Sequence, residues 1–467
     1  MATQYKIDID RTKRLENDEM TYPEFRREAL SFIETLCGII IEQGKKIQEL
    51  EDEINRLKGE KGRPKFKSKP DPSDPPKVSM ETTPKKKWTK SSKLDKIEID
   101  RQQFVFLDKT GLPNDLTFKG YEEKTIQNII VKTDNVLYLL EKYYSPSTGK
   151  TYTAQLEEHL QGTSYGAETK ALISTLYYEN RVTENKISSF LNTLGLHISE
   201  GTVSNILIKE ESDQLTKTKE EILKAGLASS TYSQIDDTGM KISHKNGYAT
   251  IVCNTLYSVF FINFSKSRET IKSFLTASLL SLFIVLVCDD APQFKELTKR
   301  LMLCWVHEER HYKKMIPVLT THKEELERVR REIWDYYKKL TDYKKNPTDQ
   351  KKERLWEEFD LIFKQETGYD DLNERLALTF AKKNELLTVL DYPEVPLHNN
   401  VSENGVREMV IKRKISGGVH TVEGIKAWEN NMSISATCKK LGVSFYDFMV
   451  GVFSKNITVN LPAMIRG

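Results

Sequence analysis

Between residues 30 and 58, apolar side chains return every seven positions. Ile33, Ile40, Ile47 and Ile54 form one set; Leu36, Leu50 and Leu57 form the other, with Gln43 as its one polar member. A 3.5-residue repeat of Ile and Leu predicts a parallel coiled coil over 24–58 and a homo-oligomer assembled through residues 30–58. The repeat then gives way to a Lys/Pro/Ser-rich stretch over 59–96 ("RPKFKSKPDPSDPPK"), which has too few apolar residues to offset the entropy of ordering and is expected to be a linker. Period-two alternation in "QNIIVKTDNVLYLLEKYYSPSTGKTYTA" predicts a small β module over 97–160, with "SPSTGK" as a hairpin turn.

Helical spacing follows over 161–225. Ile187, Leu191 and Leu194 line one face before Gly195. Ser199 is placed to cap a second helix carrying Val203, Ile206 and Leu207. Two helices across a short turn are a DNA-reading geometry, and Thr202, Ser204, Asn205 and Lys209 are the side chains expected to face the duplex. An ordinary helical hairpin would show the same pattern.

From Thr231 the pattern becomes strand, strand, strand, helix, strand. "YSQID" ends in Asp236 and Asp237, and the apolar run "FIVLVCDD" ends in Asp289 and Asp290. Carboxylates where buried strands meet solvent are where α/β folds place their chemistry. Alternation lets only one acid of each pair face a common site. Residues 308–395 are densely charged with helical periodicity (Ile333, Tyr337, Leu340), and 437–467 read as terminal helices.

Charge adds one feature. The net +3 conceals twelve Lys/Arg against four acids between Lys61 and Lys96, a segment suited to a phosphate backbone. Five scattered cysteines without a CxxC pair suggest a reducing, cytoplasmic setting. The longest apolar run, "SLFIVLVC", is too short to span a bilayer.

Oxygen ligands suit Mg²⁺, with Mn²⁺ as a substitute, and the lack of paired His/Cys spacing makes zinc a poor fit. A further acid, Glu403, precedes the basic run Arg407, Lys412, Arg413 and Lys414 in "NNVSENGVREMVIKRK". By itself the Glu403/Arg407 spacing is that of a surface ion pair on a helix.

Taken together, "IDDT" at 235–238, "VCDDAPQF" at 287–294, "LCWVHEER" at 303–310 and "NNVSENGVREMVIKRK" at 399–414, with "SYGAETKALISTLYY" and "ISEGTVSNIL" upstream, resemble the DDE transposases of the insertion sequence 66 family across about residues 30–465. The resemblance implies an RNase H-like α/β core over 226–307 and 396–436, interrupted by a helical insertion over 308–395. It implies Asp236, Asp289 and Glu403 as the triad holding two divalent ions, with Asp237 and Asp290 not catalytic. Cys304, Trp305 and His307 fall on a family motif, and Trp305 and His307 are expected to support the site. Arg407, Lys412, Arg413 and Lys414 are expected beside the scissile phosphate, where guanidinium groups grip oxygens in pairs. The implied partners are double-stranded DNA, as element ends and target, and accessory proteins of the same element, in a nucleoid-associated setting.

One departure stands out: the family's cysteine pairs are missing from the 97–160 module, where Ser145 and Thr148 stand instead. The module is therefore expected to rest on apolar packing by Ile129, Ile130, Val136, Tyr138 and Leu140 without zinc. The expected function is Mg²⁺-dependent strand cleavage and transfer. The rival readings are a non-catalytic DNA-binding protein at element ends and a coiled-coil assembly factor.

Overall fold

A computed structural model describes residues 22–57, 97–108, 110–112 and 116–467. The expected linker, 59–96, lies outside the described residues. The heptad region is one helix, α1 (Tyr22–Leu57), on which Ile33, Ile40, Ile47 and Leu50 are exposed. Its early part meets the insertion through an Arg27–Asp370 ion pair of 2.5 Å.

The 97–160 segment departs from expectation. The predicted turn is present, joining β1 (Lys142–Ser145) to β2 (Lys150–Thr153), with Gly149 in the left-handed region. Residues 116–141, however, carry no strand. Ile129 and Ile130 are 88% and 85% exposed, and Val136, Tyr138 and Leu140 are exposed as well. A two-stranded ribbon offers no second layer against which such side chains could be buried.

Residues 167–228 form a helical layer. α2 (Ala167–Ser174) runs into a π-helical turn (Thr175–Glu179), followed by α3 (Glu184–Thr193), α4 (Glu200–Ile208) and α5 (Ser212–Ala228). The cap signals were legible. Gly195 follows α3 in the left-handed region, and Ser199 accepts the Thr202 N–H at the start of α4. Ile187, Leu191, Val203, Ile206 and Leu207 are buried between the helices.

The centre is a mixed five-stranded sheet: β3 (Tyr232–Ile242), β4 (Lys245–Cys253), β5 (Ser258–Asn263), β6 (Val285–Cys288) and β7 (Arg300–Leu303), in the order β5-β4-β3-β6-β7. β3, β4 and β5 are antiparallel neighbours, whereas β6 and β7 run parallel to β3. The β3–β4 turn uses Ser243 and His244, both with positive φ, the primed geometry that matches strand twist. α6 (Arg268–Phe274) and α7 (Ala277–Leu280) replace the single expected helix between β5 and β6.

Edge strand β5 is closed by a helix. α8 (Trp305–Lys313), α9 (Thr320–Lys345), α10 (Asp349–Phe363), α11 (Asp370–Phe380) and α12 (Lys383–Leu386) make up the insertion. α13 (Asn400–Ser416), α14 (Val422–Leu441), α15 (Phe445–Phe453) and α16 (Leu461–Arg466) complete the chain. Along α14, Glu429, Ser433 and Thr437 lie four apart, and each accepts an outward β5 amide, from Ile262, Phe260 and Ser258. Edge amides that would otherwise template pairing with another chain are thereby satisfied. α15 packs on α2 and α16 on α5, while α14 contacts both β5 and α5 and so ties the helical layer to the sheet.

The sheet and α5 meet at Gly226, where a Cβ would lie 2.3–2.6 Å from the ring of Tyr257, a buried side chain whose hydroxyl pairs with Ser233 at 3.0 Å. The ring cannot withdraw. Gly226→Ala is expected to destabilise by about 1–3 kcal/mol despite alanine's better helix propensity, seen as a lower urea midpoint.

Candidate functional site

The parallel β3–β6 register pairs Tyr232 with Val285, Ser233 with Leu286 and Gln234 with Val287. Continued by two residues, it sets Asp236 alongside Asp289, on one face of the sheet. β3 does not stop at its acids, as the sequence suggested; it continues to Ile242 paired with β4. Asp236 thus sits where β6 ends and β3 loses its parallel neighbour, so its carboxylate gains room that a fully flanked position would lack.

α13 carries Glu403 toward these acids, near enough for its charge to act on Asp236. Asn399, fully buried, donates from Nδ2 to the Ile235 carbonyl at 2.9 Å, and the Ser402 amide donates to Gln234 Oε1 at 3.2 Å. The helix therefore has one of its first amides capped by a strand residue two positions before Asp236. Gly405 permits close approach to β4, since a Cβ there would meet Ile251 Cδ1 at 2.2 Å. Glu403 lies 3.6 Å from His307 Nε2 and 3.5 Å from Arg310 Nη2. The sequence reading missed Asn399, Ser402 and Gln234. Only the cluster of short polar residues before an apolar helical face signalled them.

Electrostatics separates the members of each acid pair. Burial pushes Asp236 up to about 7, with Asp289, Glu403 and Asp237 adding repulsion against one backbone hydrogen bond from Asp237. Burial also raises Asp289, against the Ala291 amide bond. Asp237 is engaged by Lys266 at 3.4 Å and by the Gln293 amide at 2.6 Å. Burial would raise Asp290, but Lys382 and Lys295, at 2.7 and 2.9 Å, overcome it and hold the carboxyl below its usual range. Among the described residues Asp236 and Asp289 make no ion pair with a lysine, although Lys266 and His307 lower Asp289 through their charge, and one oxygen of Glu403, Oε1, is buried without a hydrogen bond. The acids repel one another here, yet among the described residues the ligand atoms within 4.8 Å of one another are those of Cys304, His307 and Glu403, so a hard divalent cation would have to draw Asp236, Asp289 and Glu403 closer together.

The two residues expected to support the site differ in role. Trp305 is core: its ring packs against Tyr336, Phe359 and Phe363, and its Nε1 donates to Leu386 O at 2.9 Å, anchoring the insertion. His307 instead lies beside Glu403. Burial and Arg310 lower its pKa, and Arg310 Nη1 lies 2.8 Å from its Nε2. The sequence reading found no paired His/Cys spacing, but Cys304-x-x-His307 is such a spacing, and with Glu403 it places three potential ligand atoms within 4.8 Å of one another.

The basic run is divided by helix geometry. Arg407 and Lys414 are exposed, and Arg413 is half-buried near Gly239. Lys412 is fully buried on the stripe of Ser402, Val406 and Met409. Its Nζ donates to Tyr177 O at 2.7 Å and lies 3.1 Å from the centre of the Tyr177 ring. A side chain so enclosed cannot reach a phosphate, which corrects the expectation for Lys412. In the helical layer Asn205 and Lys209 are exposed, Ser204 is half-buried, and Thr202 is half-buried with its hydroxyl 2.9 Å from the capping Ser199.

Burial lowers Lys412 to about 7 from 10.5. Between those values the unfolded chain binds the extra proton. Stability from this group is therefore present above about 10.5 and lost as pH falls to about 7. The Tyr177 carbonyl and ring face favour the charged form, so the slope stays below about 1.4 kcal/mol per pH unit. The Tm of the parent relative to Lys412→Met is expected to rise from pH 7 to pH 9.5.

Among the described residues no helix is long and apolar enough to cross a membrane. In sequence comparison, a family model described as "Transposase IS66 family" matches residues 162–427, more than half of the chain, from the helical layer through Glu403 to α14. "Uncharacterized protein y4jO" of Sinorhizobium fredii (strain NBRC 101917 / NGR234) is 40% identical over 165 residues, 35% of this chain and 51% of that protein. The chain thus spans about half the length of this curated relative. With the family match covering both aspartate pairs, the Cys-Trp-x-His segment and the Glu403 helix, the chain belongs to the IS66 family of transposases.

Proposed function

We propose that this chain cleaves and joins DNA at the ends of an insertion sequence, as a DDE enzyme on an RNase H-like core, with Asp236, Asp289 and Glu403 as its acidic triad. The observation that carries the reading is the convergence of three sequence-distant acids: a parallel register aligns the first two, and buried hydrogen bonds from α13 to β3 bring in the third. Asp236, Asp289 and Glu403 would hold the divalent ions, Mg²⁺ or Mn²⁺, and the family membership supports that assignment. When bound, such ions lower the pKa of an attacking hydroxyl and stabilise the leaving oxygen.

The chain's own residues do the remainder. Lys266 and Gln293 hold Asp237 away from the shared face, and Lys295 and Lys382 do the same for Asp290. Arg407 and Lys414, exposed on the Glu403 helix, supply charge for the phosphate backbone, with Arg413 beside them. Asn205 and Lys209 extend the DNA surface to the helical layer. The exposed Ile33, Ile40, Ile47 and Leu50 of α1 favour self-association through residues 30–58.

The test is incubation of the full chain with DNA carrying the repeats that flank its gene, in Mg²⁺ and in EDTA. Nicking at the element boundary only with Mg²⁺ is the expected result. Specific binding without cleavage in either Mg²⁺ or Mn²⁺ would overturn catalysis in favour of a DNA-binding protein that occupies element ends.

A further inference from the structure

We propose that Cys304, His307 and Glu403 form a second kind of metal site, one for a transition-metal ion of the zinc class, which shares Glu403 with the acidic triad. The donor set carries the first step. A sulfur, an imidazole nitrogen and a carboxylate oxygen lie within 4.8 Å of one another. Magnesium does not take sulfur, whereas zinc takes these three donors and leaves a fourth position open.

The second step is preorganisation. Cys304 follows β7 directly and precedes α8, where its amide bonds to the Cys288 carbonyl at 3.0 Å, next to Asp289. The Asn399 backbone amide donates to Cys304 Sγ at 3.3 Å and holds the sulfur in place. Burial pushes the Cys304 thiol up to about 11 despite its amide hydrogen bonds, so the entering metal itself displaces the thiol proton, which passes to solvent. Among the described residues Glu403 Oε1 and His307 Nδ1 are both buried and make no hydrogen bond, Oε1 lying 3.6 Å from His307 Nε2. Arg310 supplies positive charge here, 2.8 Å from His307 Nε2 and 3.5 Å from Glu403 Oε2. Its side chain is 46% exposed and free to leave toward solvent, so Arg310 is the cation an entering metal displaces.

A carboxylate bound to such an ion is withdrawn from the triad, so Zn²⁺ inhibits Mg²⁺-supported cleavage; this consequence alone rests on the transposase reading. The site itself is tested without DNA. The full chain, stripped with EDTA and dialysed, is titrated with Co²⁺ alone. One equivalent is expected to produce thiolate-to-cobalt charge-transfer absorption that persists in Cys438→Ser and is absent in Cys304→Ser. His307→Gln and Glu403→Gln are expected to weaken Co²⁺ binding at least about tenfold, the scale that even an outer partner of a ligand carries, and Arg310→Ala to tighten it. No charge-transfer band in the parent, or a band that survives Cys304→Ser, overturns the site. Should Cys304→Ser misfold by circular dichroism, unchanged Co²⁺ affinity in His307→Gln overturns it instead. An intact cobalt spectrum with no Zn²⁺ inhibition of active enzyme rejects the sharing of Glu403.

Discussion

Asp236→Asn is expected to lower Mg²⁺-supported cleavage of end DNA at least about a thousandfold, or about 4 kcal/mol of transition-state stabilisation, while making the metal-free protein more stable at pH 8. The two effects have one cause. The carboxylate sits where burial and three neighbouring acids disfavour its charge, lifting it to about 7. Because this folded-state value exceeds the unfolded one, the parent loses stability as pH rises from about 4 to about 7, and the asparagine variant does not. In EDTA the variant's Tm should therefore exceed the parent's at pH 8, and the difference should vanish near pH 4. Asparagine keeps an oxygen to accept the Asp237 amide, now 2.8 Å away, so a folding defect is not the expected route to inactivity. Asp289→Asn should behave alike. Asp237→Asn should retain cleavage, because both its oxygens are already committed to Lys266 and Gln293. Equal loss in Asp236→Asn and Asp237→Asn would mean that the triad does not use the face proposed.

The acids of the proposed site carry a sequence signal for reasons that can be named. "YSQID" and "FIVLVCDD" are apolar runs ending in acids, and alternation required one acid of each pair to be spare; the structure shows different partners for the two sets. Ser199 and Gly195 acted as cap signals because capping is local chemistry. Long-range partners left no such mark. Lys412 reads like its basic neighbours, and only its helical phase with Ser402, Val406 and Met409 set it inside. The alternation around Ile129 and Ile130 predicts a packed strand, but alternation records propensity, and burial requires a second layer that these exposed residues lack. The insertion of α8 to α12 hid the nearness of Cys304 and Asn399, 95 positions apart in sequence and joined by one hydrogen bond.

Asn399→Ala is expected to reduce cleavage about a hundredfold and stability by about 1–3 kcal/mol. An asparagine at the start of a helix ordinarily caps that helix, yet here its side chain makes no such bond and reaches instead to the Ile235 carbonyl of β3. Removing it takes away a buried hydrogen bond, a loss only partly offset by removal of Asn399 Oδ1, which is buried without a hydrogen bond among the described residues; the net loss is measurable as a lower urea midpoint. The activity loss has a different origin. Asn399 O accepts the Glu403 amide at 3.0 Å, so the first turn of α13 passes the position of Asn399 directly to Glu403. A displacement of about 1 Å in a catalytic group is enough for a loss of that size. At a temperature where the variant is fully folded, kcat should fall while KM for end DNA holds, because the exposed Arg407 and Lys414 remain on the same helix. Full cleavage in a destabilised Asn399→Ala would show that Gln234 and Gly405 suffice to seat the helix, and that the asparagine serves folding alone.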